Sequence, residues 1–159
     1  MSEAVALPAR TERAPTGRGP VERPRPVRVL LVDPDLDVAG ALAAHFSAAG
    51  WPASVALDGL EALYALDRET PDLVVLDLDL PVVSGFRLLF LLRRNPETAN
   101  IPAIVLTSLS FQEALDAIRA GADDFIAKPA APEEVLARAR QLLARTSRRA
   151  DLVRQSAVA

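Results

Sequence analysis

Asp33, Asp77, Thr107 and Lys128 each stand directly after a short run of strand-like residues. Two carboxylates, a hydroxyl and an ammonium make a poor hydrolase. The single histidine, His45, follows no strand and is not in this cluster to serve as base, and no Ser-His pair exists to act as nucleophile and base. Paired carboxylates suit a hard cation such as Mg²⁺, which takes oxygen ligands and keeps several waters. A hydroxyl and an ammonium are the groups wanted around phosphoryl oxygens. A carboxylate can itself attack phosphorus and give an aspartyl phosphate, with Mg²⁺ and Lys neutralising charge on the transferring group. One acid at a strand end is ordinarily a helix cap or a solvated group; four such ends together favour a site. Lys128 is also the only Lys among 18 basic residues. Lys is a compact charge and Arg a planar fork, so a position that takes only an ammonium and plain chance explain this equally well.

For the four to meet, the chain between them must alternate strand and helix. Val27–Val32, broken only by Arg28, is a nearly continuous apolar run, and Leu73–Leu76 and Ala103–Leu106 are continuous ones, as expected of strands buried on both faces. A weaker strand is expected at Ala53–Ala56 and a short one at Asp124–Ala127. Val38, Leu42, Phe46 and Ala49 recur at helical spacing and stop at Gly50. Asp58, Ser84 or Gly85, and Ser110 open further helices, and Pro132 opens the last, with Val135, Leu136, Ala139, Leu142 and Leu143 on one side. Repeated βα units imply an α/β fold, an open doubly wound five-stranded parallel sheet. Ligands of such sheets bind beyond the carboxyl ends of the strands, where all four residues should converge.

The chain has 159 residues, half of them apolar and 25% charged, which excludes collagen-like and fully disordered classes. No apolar run reaches the roughly 18 residues of a membrane span, and Met1–Arg10 does not read as a secretory signal. There are no cysteines, so disulfides, thiolate metal sites and thiol nucleophiles are excluded. Together these point to a cytoplasmic protein. A net charge of −3 argues against direct nucleic-acid binding by bulk charge. The charge is uneven. Residues 1–26, rich in Pro and Arg, read as a disordered tail. Residues 27–145 form the acidic folded domain, and 146–159 read as a short basic tail. His45 reads as a partly exposed flank residue and Trp51 as edge packing.

The segments DLDLPVVSG (Asp77–Gly85), IPAIVLTS (Ile101–Ser108) and GADDFIAKP (Gly121–Pro129), with LVDPD (Leu31–Asp35) and ALDGLEAL (Ala56–Leu63), resemble the receiver domains of two-component response regulators. The resemblance runs from about Val27 to Ala144. It implies a flavodoxin-like fold with strand order 2-1-3-4-5. It implies Asp77 as acceptor of a phosphoryl group from a histidine kinase or phosphotransfer protein. Mg²⁺ would be held by Asp33, Asp77 and the backbone carbonyl of Asp79. Thr107 and Lys128 would hold phosphoryl oxygens, the Lys128–Pro129 bond would be cis, and Phe125 would switch with Thr107. Asp79 and Leu109 take positions that tune the phosphoryl lifetime. The output face would be the fourth helix, fifth strand and fifth helix, about Phe111–Leu143, which binds a downstream protein and could also pair two copies.

One departure stands out. The family carries two adjacent acids after the first strand, and here the second is Pro34. A metal ligand is thereby lost and Mg²⁺ binding should weaken, unless Asp35 or Asp79 partly restores the site. Three readings follow: a stand-alone receiver that signals by phosphorylation-dependent binding and is not an enzyme; a pseudo-receiver interaction module with weak or no phosphorylation; and a nucleotide or flavin enzyme. The third lacks a Gly-rich loop, since Leu31–Asp37 reads LVDPDLD. The kinase, the output partner and the oligomeric state are not encoded in any motif.

Overall fold

The computed structural model describes residues 24–108 and 110–158. Most of the segment read as an N-terminal tail, residues 1–23, lies outside these. Strand and helix alternate five times: β1 (Val29–Val32), α1 (Leu36–Ala48), β2 (Ala53–Ala56), α2 (Gly59–Arg68), β3 (Leu73–Leu76), α3 (Gly85–Arg94), β4 (Ala103–Thr107), α4 (Phe111–Arg119), β5 (Asp124–Ala127) and α5 (Pro132–Val158). The five strands form one sheet in the order β2-β1-β3-β4-β5, every pair parallel. The doubly wound architecture and its strand order are therefore those expected.

Alternation along the strands builds two apolar layers. Val29, Leu31, Leu73, Val75, Ile104, Leu106 and Ile126 face one way and pack against Leu42 and Phe46 of α1 and Val135, Leu136, Ala139 and Leu142 of α5. Leu30, Val32, Val74, Leu76 and Val105 face the other way, against Ala62 of α2, Leu88, Leu89 and Leu92 of α3 and Ala117 of α4. Each Val, Leu, Ile or Phe side chain among them, once fully buried, contributes roughly 1.5–3 kcal/mol before entropy is counted. Burial on both faces is why β1, β3 and β4 read as unbroken apolar runs.

The helices begin where local chemistry says they should. Asp35, Asp58, Ser84 and Ser110 are the N-caps of α1, α2, α3 and α4, each accepting from a free amide of the first turn. Ser110 and Glu113 close a reciprocal capping box. Trp51 packs its ring 6.0 Å from that of Phe46, and His45 is half-buried on the flank of α1.

One boundary differs from expectation. Residues 146–158, read as a tail, continue α5 without a break. Apolar density falls after Arg145, but no Gly or Pro follows Pro132, and Ala, Arg, Leu and Gln are good helix formers. Loss of a buried face ends packing; it does not end a helix. No described helix is long and apolar enough to cross a membrane.

Candidate functional site

Parallel strands deliver their carboxyl ends to one edge. Asp33 follows β1, Asp77 follows β3, Thr107 ends β4 and Lys128 follows β5. Asp33, Asp77 and Thr107 are buried, at 4%, 6% and 0% exposure, which is exceptional for acids unless they are paired. Lys128 supplies the pairing. Its Nζ lies 2.7 Å from Asp33 Oδ2 and 2.7 Å from Asp77 Oδ2. The Lys128 backbone amide donates to the Thr107 carbonyl at 3.0 Å, which ties the β5 end to the β4 end. The Lys128–Pro129 peptide is cis.

The second oxygens of the two acids are also engaged. Asp33 Oδ1 accepts from the Asp35 amide at 2.8 Å and Asp77 Oδ1 from the Asp79 amide at 3.1 Å. Each acid thus aims one oxygen at its own loop and the other at the shared ammonium. Burial pulls the Lys128 ammonium towards neutrality, but hydrogen bonds and charge from Asp33 and Asp77 outweigh it and hold its pKa above the usual lysine value. One cation faces two anions, so the site keeps excess negative charge.

Thr107 Oγ1 is buried and has no hydrogen-bond partner among the described residues. A buried hydroxyl left unpaired costs roughly 1–3 kcal/mol.

The residues suit Mg²⁺ in part. Two carboxylates converge, and Mg²⁺ is commonly bound by one or two carboxylates with retained waters. A third acid is missing: Pro34 is exposed and carries no ligand, and the described residues contain no cluster of three acids or histidines. Asp35 Oδ1 caps α1, accepting from Asp37 and Val38 amides at 2.9 and 3.3 Å. Asp79 is exposed. Phe125 is half-buried and packs against the layer beneath α2, α3 and α4. Leu109 lies outside the described residues.

The loop after Asp77 holds features that strand and helix periodicity do not signal. Gly85 sits so close to the Asp77 backbone that a Cβ would lie 2.2 Å from the Asp77 carbonyl oxygen. Gly59, at the start of α2, presses on the Val83 carbonyl in the same way, at 2.0 Å. Between these clamps Val82 adopts φ 69°, and the Val83 amide donates to the Pro81 carbonyl at 2.8 Å. That is a γ-turn of the rare positive-φ kind, centred on a β-branched residue. A Gly or Asn would have marked the turn; Val hides it.

The family model for the response regulator receiver domain matches residues 29–140. The DNA-binding dual master transcriptional regulator RpaA of Synechocystis is 39% identical over 122 residues, covering 76% of this chain and 51% of that protein. Response regulator MprA of a Mycobacterium species is 42% identical over 123 residues, covering 77% of this chain and 53% of that protein. The chain thus spans about half the length of these curated relatives. Among solved structures, the receiver domain of Francisella response regulator 1452 superposes with a TM-score of 0.70 at 32% identity, covering 76% of this chain and 98% of that one. The Vibrio cholerae chemotaxis response regulator CheY4 gives 0.70 at 25% identity, covering 74% and 98%. With the matched residues running from the first strand into the last helix, this chain belongs to the response regulator receiver domain family.

Proposed function

We propose that Asp77 accepts a phosphoryl group from a histidine kinase or phosphotransfer protein, and that the modified domain signals by binding a protein partner. The observation that carries this reading is the buried triad in which one ammonium joins Asp33 Oδ2 and Asp77 Oδ2. An oxygen of Asp77 attacks phosphorus, an O–P bond forms, and the bond from phosphorus to the donor nitrogen breaks. Lys128 then transfers its hydrogen bond from the Asp77 carboxylate to a phosphoryl oxygen. Thr107 Oγ1 gains the partner it lacks. Mg²⁺, held by Asp33, Asp77 and the Asp79 carbonyl, would supply charge neutralisation; Pro34 leaves it one carboxylate short.

Output falls to the α4-β5-α5 face, where Phe111 and Ile118 are 79% and 43% exposed. Signalling by binding alone is part of the same proposal. A second reading, a pseudo-receiver that binds partners unmodified, is favoured by Pro34 alone.

Intact mass after incubation with acetyl phosphate decides between them. A Mg²⁺-dependent gain of one phosphoryl group in the wild type, absent in Asp77→Asn, is the expected result. No gain even at high Mg²⁺ would leave the pseudo-receiver.

A further inference from the structure

The face of α5 that enters the core does not stop where the core stops. Val135, Ala139 and Leu142 are buried, and Thr146, Ala150, Val153 and Ala157 continue the same stripe at spacings of three and four. Every residue from Ala144 to Val158 is exposed, Val153 at 62%. The helix therefore overhangs the edge of the domain opposite the phosphoacceptor. Beneath the overhang lies a groove of about 760 Å³, walled on the domain side by Ile101 and Pro102 and on the helix side by Leu142, Ala150 and Val153.

Its rim is basic. Arg145, Arg149 and Arg154 line the groove, and none is in an ion pair among the described residues. The one acid in the lining, Asp123, is already held by Arg93 at 3.0 Å and by the Ala103 amide at 2.8 Å. Arg93 in turn spends its other donors on the carbonyls of Gly121, Ala99 and Ile101. Three guanidinium groups with no ion pair among the described residues thus flank an apolar floor. Of the acids near them, Asp123 is held by Arg93, Asp124 is held by Arg138 and acts on Arg145 through space, and Asp151 stands one turn before Arg154.

We infer that this overhang is a docking surface for an acidic amphipathic helix of another protein, its apolar stripe on Val153 and Ala150 and its carboxylates against the arginines. A second copy fits poorly, because it would set Arg145, Arg148, Arg149 and Arg154 against their own equivalents within a Debye length of about 8 Å. Residues 1–23 carry three Glu and four Arg, so they lack the complementary charge. Duplex DNA matches the rim but gains nothing from the apolar floor. The inference is independent of phosphorylation at Asp77.

The test is fluorescence anisotropy with the full chain and a labelled synthetic peptide of about five helical turns, Leu on one stripe and Glu elsewhere, near physiological salt. The wild type binds it. The combined Arg145→Glu, Arg149→Glu, Arg154→Glu protein loses about tenfold or more, and Val153→Ser loses several-fold with every charge intact, each with helix content checked by circular dichroism. Val153→Ser keeps the test decisive if the triple variant misfolds. Absence of binding overturns the inference. So does equal binding of a scrambled peptide of the same composition, tighter binding of duplex DNA, or binding only after residues 1–23 are removed.

Discussion

Lys128 Nζ and Asp77 Oδ2 lie 2.7 Å apart although 51 residues separate them in sequence. The same nitrogen holds Asp33 Oδ2 at 2.7 Å, so one ammonium stands between two buried carboxylates. Where the resemblance implies a further acid for a cation site, this chain has Pro34, exposed beside Asp33. Pro34→Asp should therefore tighten Mg²⁺ binding about tenfold, measured by calorimetric titration. Equal affinity in the two proteins would mean that Pro34 is no deficit.

Thr107 Oγ1 is buried without a partner among the described residues. Thr107→Val keeps the shape and removes the unpaired hydroxyl. The unmodified protein should gain about 1 kcal/mol, seen as a raised Tm, while phosphoryl transfer from acetyl phosphate slows. A lowered Tm would sink the idea that the hydroxyl is held unsatisfied.

Val82 holds φ 69° while 75% exposed, so packing does not compensate the strain of that conformation. Asn tolerates the left-handed region better than any β-branched residue. Val82→Asn should stabilise the fold by about 1 kcal/mol in urea melts, and Val82→Ile should not. A loss in the Asn variant would show that the loop relaxes out of the γ-turn in solution.

Asp124 opens β5 and accepts from Arg138 at 2.8 and 2.6 Å and from the Phe125 amide at 2.9 Å. Burial pushes its carboxyl up, but these bonds win and the pKa falls below the usual aspartate value. A depressed acid stabilises the fold above its unfolded pKa, about 3.9, and loses that contribution as pH falls through the folded value. Asp124→Asn should cost about 1 kcal/mol at neutral pH, and the gap to wild type should close below about pH 3.9. A gap that stays constant into that range would show that the ion pair carries none of the difference.

Local residue patterns sufficed for the sheet, its winding and the convergence of the strand ends that carry Asp33, Asp77, Thr107 and Lys128. Strands buried on both faces must be apolar without interruption, helices need caps such as Asp58 and Ser110, and parallel crossovers leave one topology edge for the ends. These are local rules, readable over a few residues. Which way each side chain turns depends on neighbours that folding brings in from elsewhere in the chain. Asp35 Oδ1 caps α1 at 2.9 Å from the Asp37 amide, a choice set by the path of the chain after Asp33. Arg93 clasps the Ala99 and Ile101 carbonyls of the loop that follows its helix and also the Gly121 carbonyl, 28 residues away, which packing brings to it. Val82 takes a conformation its own residue type disfavours because Gly59 and Gly85 clamp the loop on either side. The overhang of α5 belongs to both sources. Its helix formers and missing stop signal lay in the sequence, but the groove under it needed the domain edge at Ile101 and Pro102.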